Sequence, residues 1–353
     1  MRFASADAAQ QVVSAAIAQG INHIETAPAY GASEQYIGQA LQTLSVPREQ
    51  FVLTTKLTPT LSADDIAPAI ERSLVRLGLH HIDSLAIHGI NTPEHLDWVK
   101  TEMQAGIKPL IATGKVRHLG FSTHGSLDLI LKTLATRAFS FVNLHYNYFF
   151  QRNAPAVAQA HAQDMGIFII SPADKAGMLY TPPERLKALC APYDPLLLNY
   201  RWLLSDPRIS TLSVGPAVPK ELVWPLQVAD EDGTLTTKEK DAIARLDKTQ
   251  KATLKTDLCA QCHQCLPCPE NIHIPEVLRL RNVAIAYDMS AYGQYRYGMF
   301  ENAGHWFPGS KGNRCTDCGD CLPRCPQQLN IPALLQDTHQ RLQGKKRRRL
   351  WEE

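Results

Sequence analysis

Eight of the nine cysteines in this 353-residue chain fall into two short runs near its C-terminal end. The first is Cys259, Cys262, Cys265 and Cys268, followed by Pro269. The second is Cys315, Cys318, Cys321 and Cys325, followed by Pro326. Cysteines two residues apart make a short looped backbone wrap three corners of a metal–sulfur cube, and the proline turns the chain away. The second run has the C-x2-C-x2-C-x3-C-P spacing of bacterial [4Fe–4S] proteins, in which the fourth cysteine ligates the other cluster. The first run departs by one residue, with two positions before its last cysteine. The spacing predicts one cluster on Cys259, Cys262, Cys265 and Cys325, and another on Cys315, Cys318, Cys321 and Cys268. A zinc site needs four ligands as two pairs, and disulfides need an oxidising compartment. Neither accounts for two equal runs of four.

The remaining composition sets broad limits. A hydrophobic content of 44% supports a sizeable core, and a net charge of +2 argues against a nucleic-acid binder. No apolar run reaches membrane-spanning length, and MRFASADAAQQ has no signal-peptide apolar region. Reduced thiols imply a reducing interior, so a cytoplasmic protein is expected. Cys190 reads as a packing residue. The block Lys345-Lys346-Arg347-Arg348-Arg349 reads as a solvated tail, with docking to an acidic electron-transfer partner as its functional alternative.

From residue 6 to about residue 216 helical and strand patterns alternate. Helices are predicted over 6–19, 33–44, 63–77, 93–113, 126–136, 154–165 (with Gly166 as its stop) and near 195–205. Strands are predicted over 21–24, 51–56, 82–88, 116–121, 141–144, 167–170 and near 209–214. Ile167 to Ile170 is apolar throughout, the pattern of a strand buried on both faces. Leu222, Val223, Trp224 and Leu226 read as a last barrel helix. The polar turn Asp230-Glu231-Asp232-Gly233 follows, then a helix over 236–247. Repeated βα units mean a parallel sheet covered by helices. Seven strands are countable and a βα barrel has eight. The expectation is therefore a barrel without its first strand, the start codon having been placed too late. If the chain instead starts as given, its two open edges would favour aggregation and poor solubility. An open doubly wound sheet would carry a Gly-rich phosphate loop after its first strand, and none is visible.

Barrel active sites lie at the C-terminal ends of the strands. Glu25, Lys56 and His88 end three successive strands, and Tyr30 follows the first of them. Singly each has a bland reading as a core or surface residue. Together they form a proton-donor set: a cation beside a tyrosine favours phenolate, a carboxylate holds the lysine, and a histidine can donate to a substrate oxygen.

The segments HIETAPAYGASEQYIG, FVLTTKL, DSLAIHGI, GKVRHLGFSTHG and FVNLHYNYF resemble the aldo-keto reductases. With its C-terminal cysteines, the chain is similar to the subgroup carrying a two-cluster [4Fe–4S] ferredoxin-like domain. The resemblance implies a (β/α)8 TIM-type barrel, here without its first strand, followed by a small, mainly helical ferredoxin-like domain. It implies nicotinamide-dependent carbonyl or alcohol chemistry, with Tyr30 as general acid, Lys56 as its charged partner, His88 as substrate orienter and Glu25 in the usual aspartate position. Ser122 and Asn143 correspond to carboxamide contacts, with Thr123 in the usual asparagine position. Gly215 and Lys220 correspond to the cofactor phosphate region, and NADP(H) or NAD(H) is implied. Ile170 stands where many members have an aromatic ring.

The domains so expected are a barrel over 1–228, a linker and helix over 229–257, a cluster domain over 258–335 and a basic tail over 336–353. Tyr287, Tyr292, Tyr295, Tyr297, Phe300, Trp306 and Phe307, between the cysteine runs, read as core around the clusters. A nicotinamide gives two electrons where a cluster takes one, and no flavin-binding segment is legible. The expected partners are a small carbonyl or alcohol substrate and an external electron carrier, with neither nucleic acid nor membrane. A non-enzymatic electron-transfer or assembly module on a dead barrel is the alternative.

Overall fold

The computed structural model describes residues 3–173, 179–231 and 233–346. Asp232 of the polar turn and Arg347, Arg348 and Arg349 of the basic block lie outside the described residues. The strands are β1 (His23–Glu25), β2 (Val52–Leu57), β3 (Ile82–His88), β4 (Val116–Ser122), β5 (Phe141–Leu144), β6 (Gly166–Ile170) and β7 (Thr211–Ser213). The helices are α1 (Ala6–Ala18), α2 (Ser33–Thr43), α3 (Ala63–Leu77), α4 (Pro93–Trp98), α5 (Gln104–Ala112), α6 (Leu127–Ala135), α7 (Ala154–His161), α8 (Glu184–Cys190), α9 (Pro195–Leu204) and α10 (Val223–Leu226). After them come α11 (Thr237–Leu254), α12 (Ile274–Tyr287), α13 (Ser290–Tyr297) and α14 (Ile331–Leu342). Two compact units result, one from residues 1–146, 150–172 and 203–232, the other from 147–149, 173–202 and 233–353.

In the first unit the seven strands form one sheet in chain order, and every neighbouring pair is parallel. The helices α3, α5 and α7 pack against β2, β4 and β6. In α3, Ser62 Oγ accepts from Asp65 N–H, Asp64 and Asp65 sit at the positive end, and Gly78 closes the helix at φ 66°. Ile66, Ile70, Leu74 and Leu77 are all buried. Burial is graded across the sheet. Every residue of the interior strand β3 is buried, whereas the edge strand β7 is half-buried throughout. Among the described residues β1 and β7 each pair on one side only.

Several elements differ from expectation. Residues 93–113 do not make one regular helix: a π-helical turn, Val99–Met103, separates α4 from α5, and Trp98, Val99, Met103, Ile107 and Leu110 all stay buried. Gly166 opens β6 instead of ending α7, which stops at His161. β6 is not buried on both faces, since its burial alternates. Ile167 and Ile169 are covered. Phe168 is half-buried, stacking on Phe141 of β5 and meeting His23 of β1 edge-on across the concave side. The segment after β7 is a 3-10 turn, Pro219–Leu222, running into the one-turn α10, and only Leu222 is buried.

The second unit is mainly helical. α11 runs seven residues past its expected end, started by a capping box in which Thr236 and Glu239 satisfy each other's backbone N–H. Arg201 Nε reaches Glu239 at 2.9 Å, both side chains nearly inaccessible. α12 is buried on nearly every side and packs against α11, α13 and α14. Its two arginines are partnered, Arg279 by Glu276 and Arg281 by Asp257 and Asp337. Tyr287, Tyr292, Tyr297, Phe300 and Phe307 are core residues, while Tyr295 and Trp306 are half-buried. No helix among the described residues is long and apolar enough to cross a membrane.

Candidate functional site

Parallel pairing sets the residues at the C-terminal ends of the strands side by side. His88 pairs with Ser122, and Ser122 with Asn143, so β3, β4 and β5 contribute one row. Glu25 ends β1, and Lys56 lies one residue before the end of β2. Tyr30 sits in a 3-10 turn, Pro28–Tyr30, directly after β1.

These side chains meet. The Lys56 ammonium, almost wholly inaccessible, pairs with Glu25 Oε1 and also donates to the Thr26 carbonyl at 3.2 Å. Burial by itself would push the Glu25 carboxyl up, but the Lys56 charge and its hydrogen bond hold it at about 2. Burial would likewise lower Lys56, yet Glu25 and Tyr30 keep it above the usual lysine range. The Tyr30 ring lies 5.1 Å from Lys56 Nζ and edge-on to His88 at 5.6 Å. A phenol between an ammonium and an imidazole is placed to exchange a proton with an oxygen brought against it.

Two partners of Glu25 were not legible in the sequence. Asn143 Nδ2 donates to Glu25 Oε2 at 3.0 Å, and Ser213 Oγ donates to the same oxygen at 3.1 Å. Asn143 is wholly buried, and its Oδ1 has no hydrogen-bond partner among the described residues. An unpaired acceptor at this depth fits a ligand carrying an N–H donor, such as a carboxamide. The Ser122 hydroxyl, in contrast, serves the backbone, accepting from Gly89 N–H at 3.1 Å and lying 3.4 Å from the Ile87 carbonyl. The Thr123 hydroxyl donates to the Ile90 carbonyl. Gly215 and Lys220 are exposed beyond β7, and a Cβ on Gly215 would meet nothing within 4 Å. His124 and His145 lie tilted against each other at 47°, with centroids 4.5 Å apart, just past β4 and β5, a pair that no spacing in the sequence announced.

In the second unit the cysteines gather around two cavities. Cys259, Cys262, Cys265 and Cys325 line one, with His263, Leu278, Leu329 and Ile331. Cys268, Cys315, Cys318 and Cys321 line another, with Glu270, Asp320 and Arg324. Ile274, the first residue of α12, lines both. Among the described residues no three ligating side chains converge as they would on one metal ion. Four thiols gathered at each of two places, without the convergence of a single-ion site, suit a cluster better than one ion. Gln261 Nε2 donates to Cys259 Sγ at 3.4 Å, and Asn282 Nδ2 holds the Cys259 carbonyl at 3.0 Å. Cys190 is buried, and burial pushes its thiol up to about 12.

Two families match successive stretches of the chain. Residues 258–330 match the 4Fe-4S dicluster domain. An aldo-keto reductase of Mycolicibacterium smegmatis is 34% identical over 144 residues, 39% of this chain and 48% of that protein. The L-galactose dehydrogenase of Arabidopsis thaliana is 33% identical over 123 residues, 33% of this chain and 38% of that protein. The NADH-specific methylglyoxal reductase of Escherichia coli is 33% identical over 143 residues, 31% of this chain and 43% of that protein. The chain spans about half the length of the first relatives it matches. Among solved structures, the holo form of an aldo-keto reductase from Bacillus halodurans superposes with a TM-score of 0.57 at 20% identity, covering 68% of this chain and 87% of that one. At that identity the likeness concerns the fold. The match to the Aldo/keto reductase family, over residues 2–248, takes in more than half the chain, and the chain belongs to that family.

Proposed function

We propose that the protein is an iron–sulfur oxidoreductase that reduces a small carbonyl compound, or oxidises the alcohol, at the strand-end site of the barrel. A nicotinamide cofactor, NADP(H) or NAD(H), would supply or accept the hydride there. The observation that carries this reading is the Glu25–Lys56 pair set against Tyr30 and His88. In carbonyl reduction, Tyr30 gives its phenolic proton to the substrate oxygen as that oxygen gains charge. Lys56 stays protonated and favours the phenolate left behind. Glu25 keeps Lys56 charged and in place. His88 holds the substrate oxygen from the other side of the Tyr30 ring. Asn143, with Ser122 beside it on the row, would hold the carboxamide, and Gly215 and Lys220 would hold the cofactor phosphates.

Two [4Fe–4S] clusters, held by Cys259, Cys262, Cys265 and Cys325 and by Cys268, Cys315, Cys318 and Cys321, would pass single electrons to an external carrier. The grouping of the cysteines around two cavities supports this ligand assignment. A dead barrel serving only as an electron-transfer module would give the Glu25–Lys56–Tyr30–His88 set no work to do.

The test is anaerobic purification with iron and sulfide counting, followed by NADPH and NADH additions while cluster absorbance is followed. Bleaching by either nucleotide is expected and would establish that hydride equivalents reach the clusters. A full iron complement with no bleaching, but with NAD(P)H-dependent carbonyl turnover, would reduce the protein to an ordinary reductase with structural clusters.

A further inference from the structure

The two cysteine runs make the same turn with different side chains on it. In each run the residues on either side of the second cysteine have positive φ. They are Gln261 at 59° and His263 at 63° in the first, Asp317 at 58° and Gly319 at 79° in the second. Gln261 and Asp317 therefore hold equivalent places, each two positions past the first cysteine of its run. Gln261 is half-buried and donates its side-chain N–H to Cys259 Sγ at 3.4 Å. Burial pushes the Cys259 thiol up, and two hydrogen bonds from Gln261, one from its backbone and one from its side chain, act against that push. Asn282 of α12 holds the Cys259 carbonyl at 3.0 Å, which fixes this cysteine from behind. Asp317 is exposed, and an ionised carboxylate can only accept hydrogen bonds.

The surroundings differ as well. At the first cavity Cys259, Cys265 and Cys325 are buried, and Ile274, Leu278, Leu329 and Ile331 line the space. At the second only Cys321 is buried, and Glu270, Asp320 and Arg324 share the lining. A cluster that takes an electron gains one negative charge. Apolar burial opposes that charge, whereas hydrogen bonds to the ligand sulfurs favour it. Burial alone would leave the first cluster the harder of the two to reduce.

We propose that Gln261 is a positioning residue that acts through Cys259 to raise the reduction potential of the first cluster. Its donors offset the apolar burial and keep the first cluster reducible beside the second, whose loop has Asp317 in the donor's place. A single electron can then move between two clusters that share the Ile274 wall, one being oxidised as the other is reduced. This rests on the reading of the eight cysteines as ligands of two [4Fe–4S] clusters.

The test is a redox titration of the full chain, purified anaerobically and reduced with dithionite through mediator dyes. Each cluster is followed by its own electron paramagnetic resonance signal. Gln261→Leu keeps the shape of the side chain and removes its N–H. At unchanged iron content, the ratio of reduced to oxidised first cluster at a fixed potential is expected to fall about tenfold, ~59 mV for one electron, with the second cluster unmoved. Asp317→Gln sets the same donor on the same backbone turn, and a rise confined to the second cluster is expected. An unmoved first potential in Gln261→Leu, or equal shifts of both clusters, would overturn the proposal while the two-cluster reading stands. If Gln261→Leu takes up less iron, Asp317→Gln decides, and an unmoved second potential there would overturn it. A wild type holding about four irons or fewer per chain would remove the two-cluster reading and the proposal together.

Discussion

In the barrel, side chains meet that lie far apart in the chain: Glu25 accepts from Asn143, 118 positions on, and from Ser213, 188 positions on. In the cluster unit, three cysteines of each cavity come from a seven-residue stretch, and only Cys325 and Cys268 cross to the other run. The barrel site is held by sheet pairing, an ion pair and hydrogen bonds that exist before any ligand arrives. The cysteines are held by short loops, with Gln261, His263 and Asp317 at positive φ, and nothing within the protein bonds one thiol to another. One site is preorganised by the protein, whereas the other is completed by what it binds, so that binding energy there is also folding energy.

The largest effects should separate these two kinds of construction. Replacing one cysteine by alanine should remove a whole cluster, taking iron from about eight to about four per chain. Cys265→Ala and Cys325→Ala should abolish the same electron paramagnetic resonance signal, while Cys268→Ala and Cys321→Ala should abolish the other. If Cys325 instead grouped with Cys321, the crossed assignment would be wrong.

Next in size, Tyr30→Phe should slow carbonyl reduction by about 100- to 10,000-fold while leaving the iron content and the melting temperature in place. Parallel loss of iron would break the claim that the barrel site stands apart from cluster assembly.

The acid limb of stability comes third. Glu25 is held at about 2 against an ordinary value of 4.5. Its charged form therefore stabilises the fold above pH 4.5, and that contribution drains away as pH falls towards 2. Lys56, raised in the fold, stays protonated throughout and would lose its contribution only on the alkaline side. Melting temperature followed from pH 6 to pH 2 should fall more steeply in the wild type than in Glu25→Gln. Equal slopes would show that the pair contributes nothing to the preorganisation.

The smallest expected effect concerns the sheet beneath the site. A Cβ on Gly120 of β4 would lie 2.5 Å from three atoms of the Phe141 ring, so Gly120→Ala should cost about 1–3 kcal/mol by overpacking, read from denaturant midpoints. A neutral result would mean that the Phe141–Phe168 stack yields easily and that the floor of the site is softer than its hydrogen bonds suggest.

How much of this could be read in advance varied with how local the cause was. α3 and β3 were legible to the residue, because Ile66, Ile70, Leu74 and Leu77 recur at helical spacing and β3 carries Ile82, Leu85, Ala86 and Ile87 between the breaks at Gly78 and Gly89. The π-helical turn at Val99–Met103 was invisible, since shifting a helix by one residue leaves its composition unchanged. β6 was misread because isoleucine and phenylalanine look alike whether they face covering helices or a half-open concave side. The end of α11 was placed too early, since its polar stretch Lys248–Lys251 reads as a linker until packing shows otherwise. In the site, Glu25, Tyr30, Lys56 and His88 announced themselves by chemistry at strand ends. Ser213 did not, because a serine in a three-residue strand carries no signal of what lies across the sheet.

The sequence by itself determined the spacing of the two cysteine runs, the alternation of strands and helices and the presence of titratable residues at successive strand ends, because each is written in spacings of a few residues. Only the tertiary structure decided that one carboxylate joins β1, β2, β5 and β7. The curvature of a parallel sheet brings those strand ends together, and no local pattern encodes a contact across 188 residues.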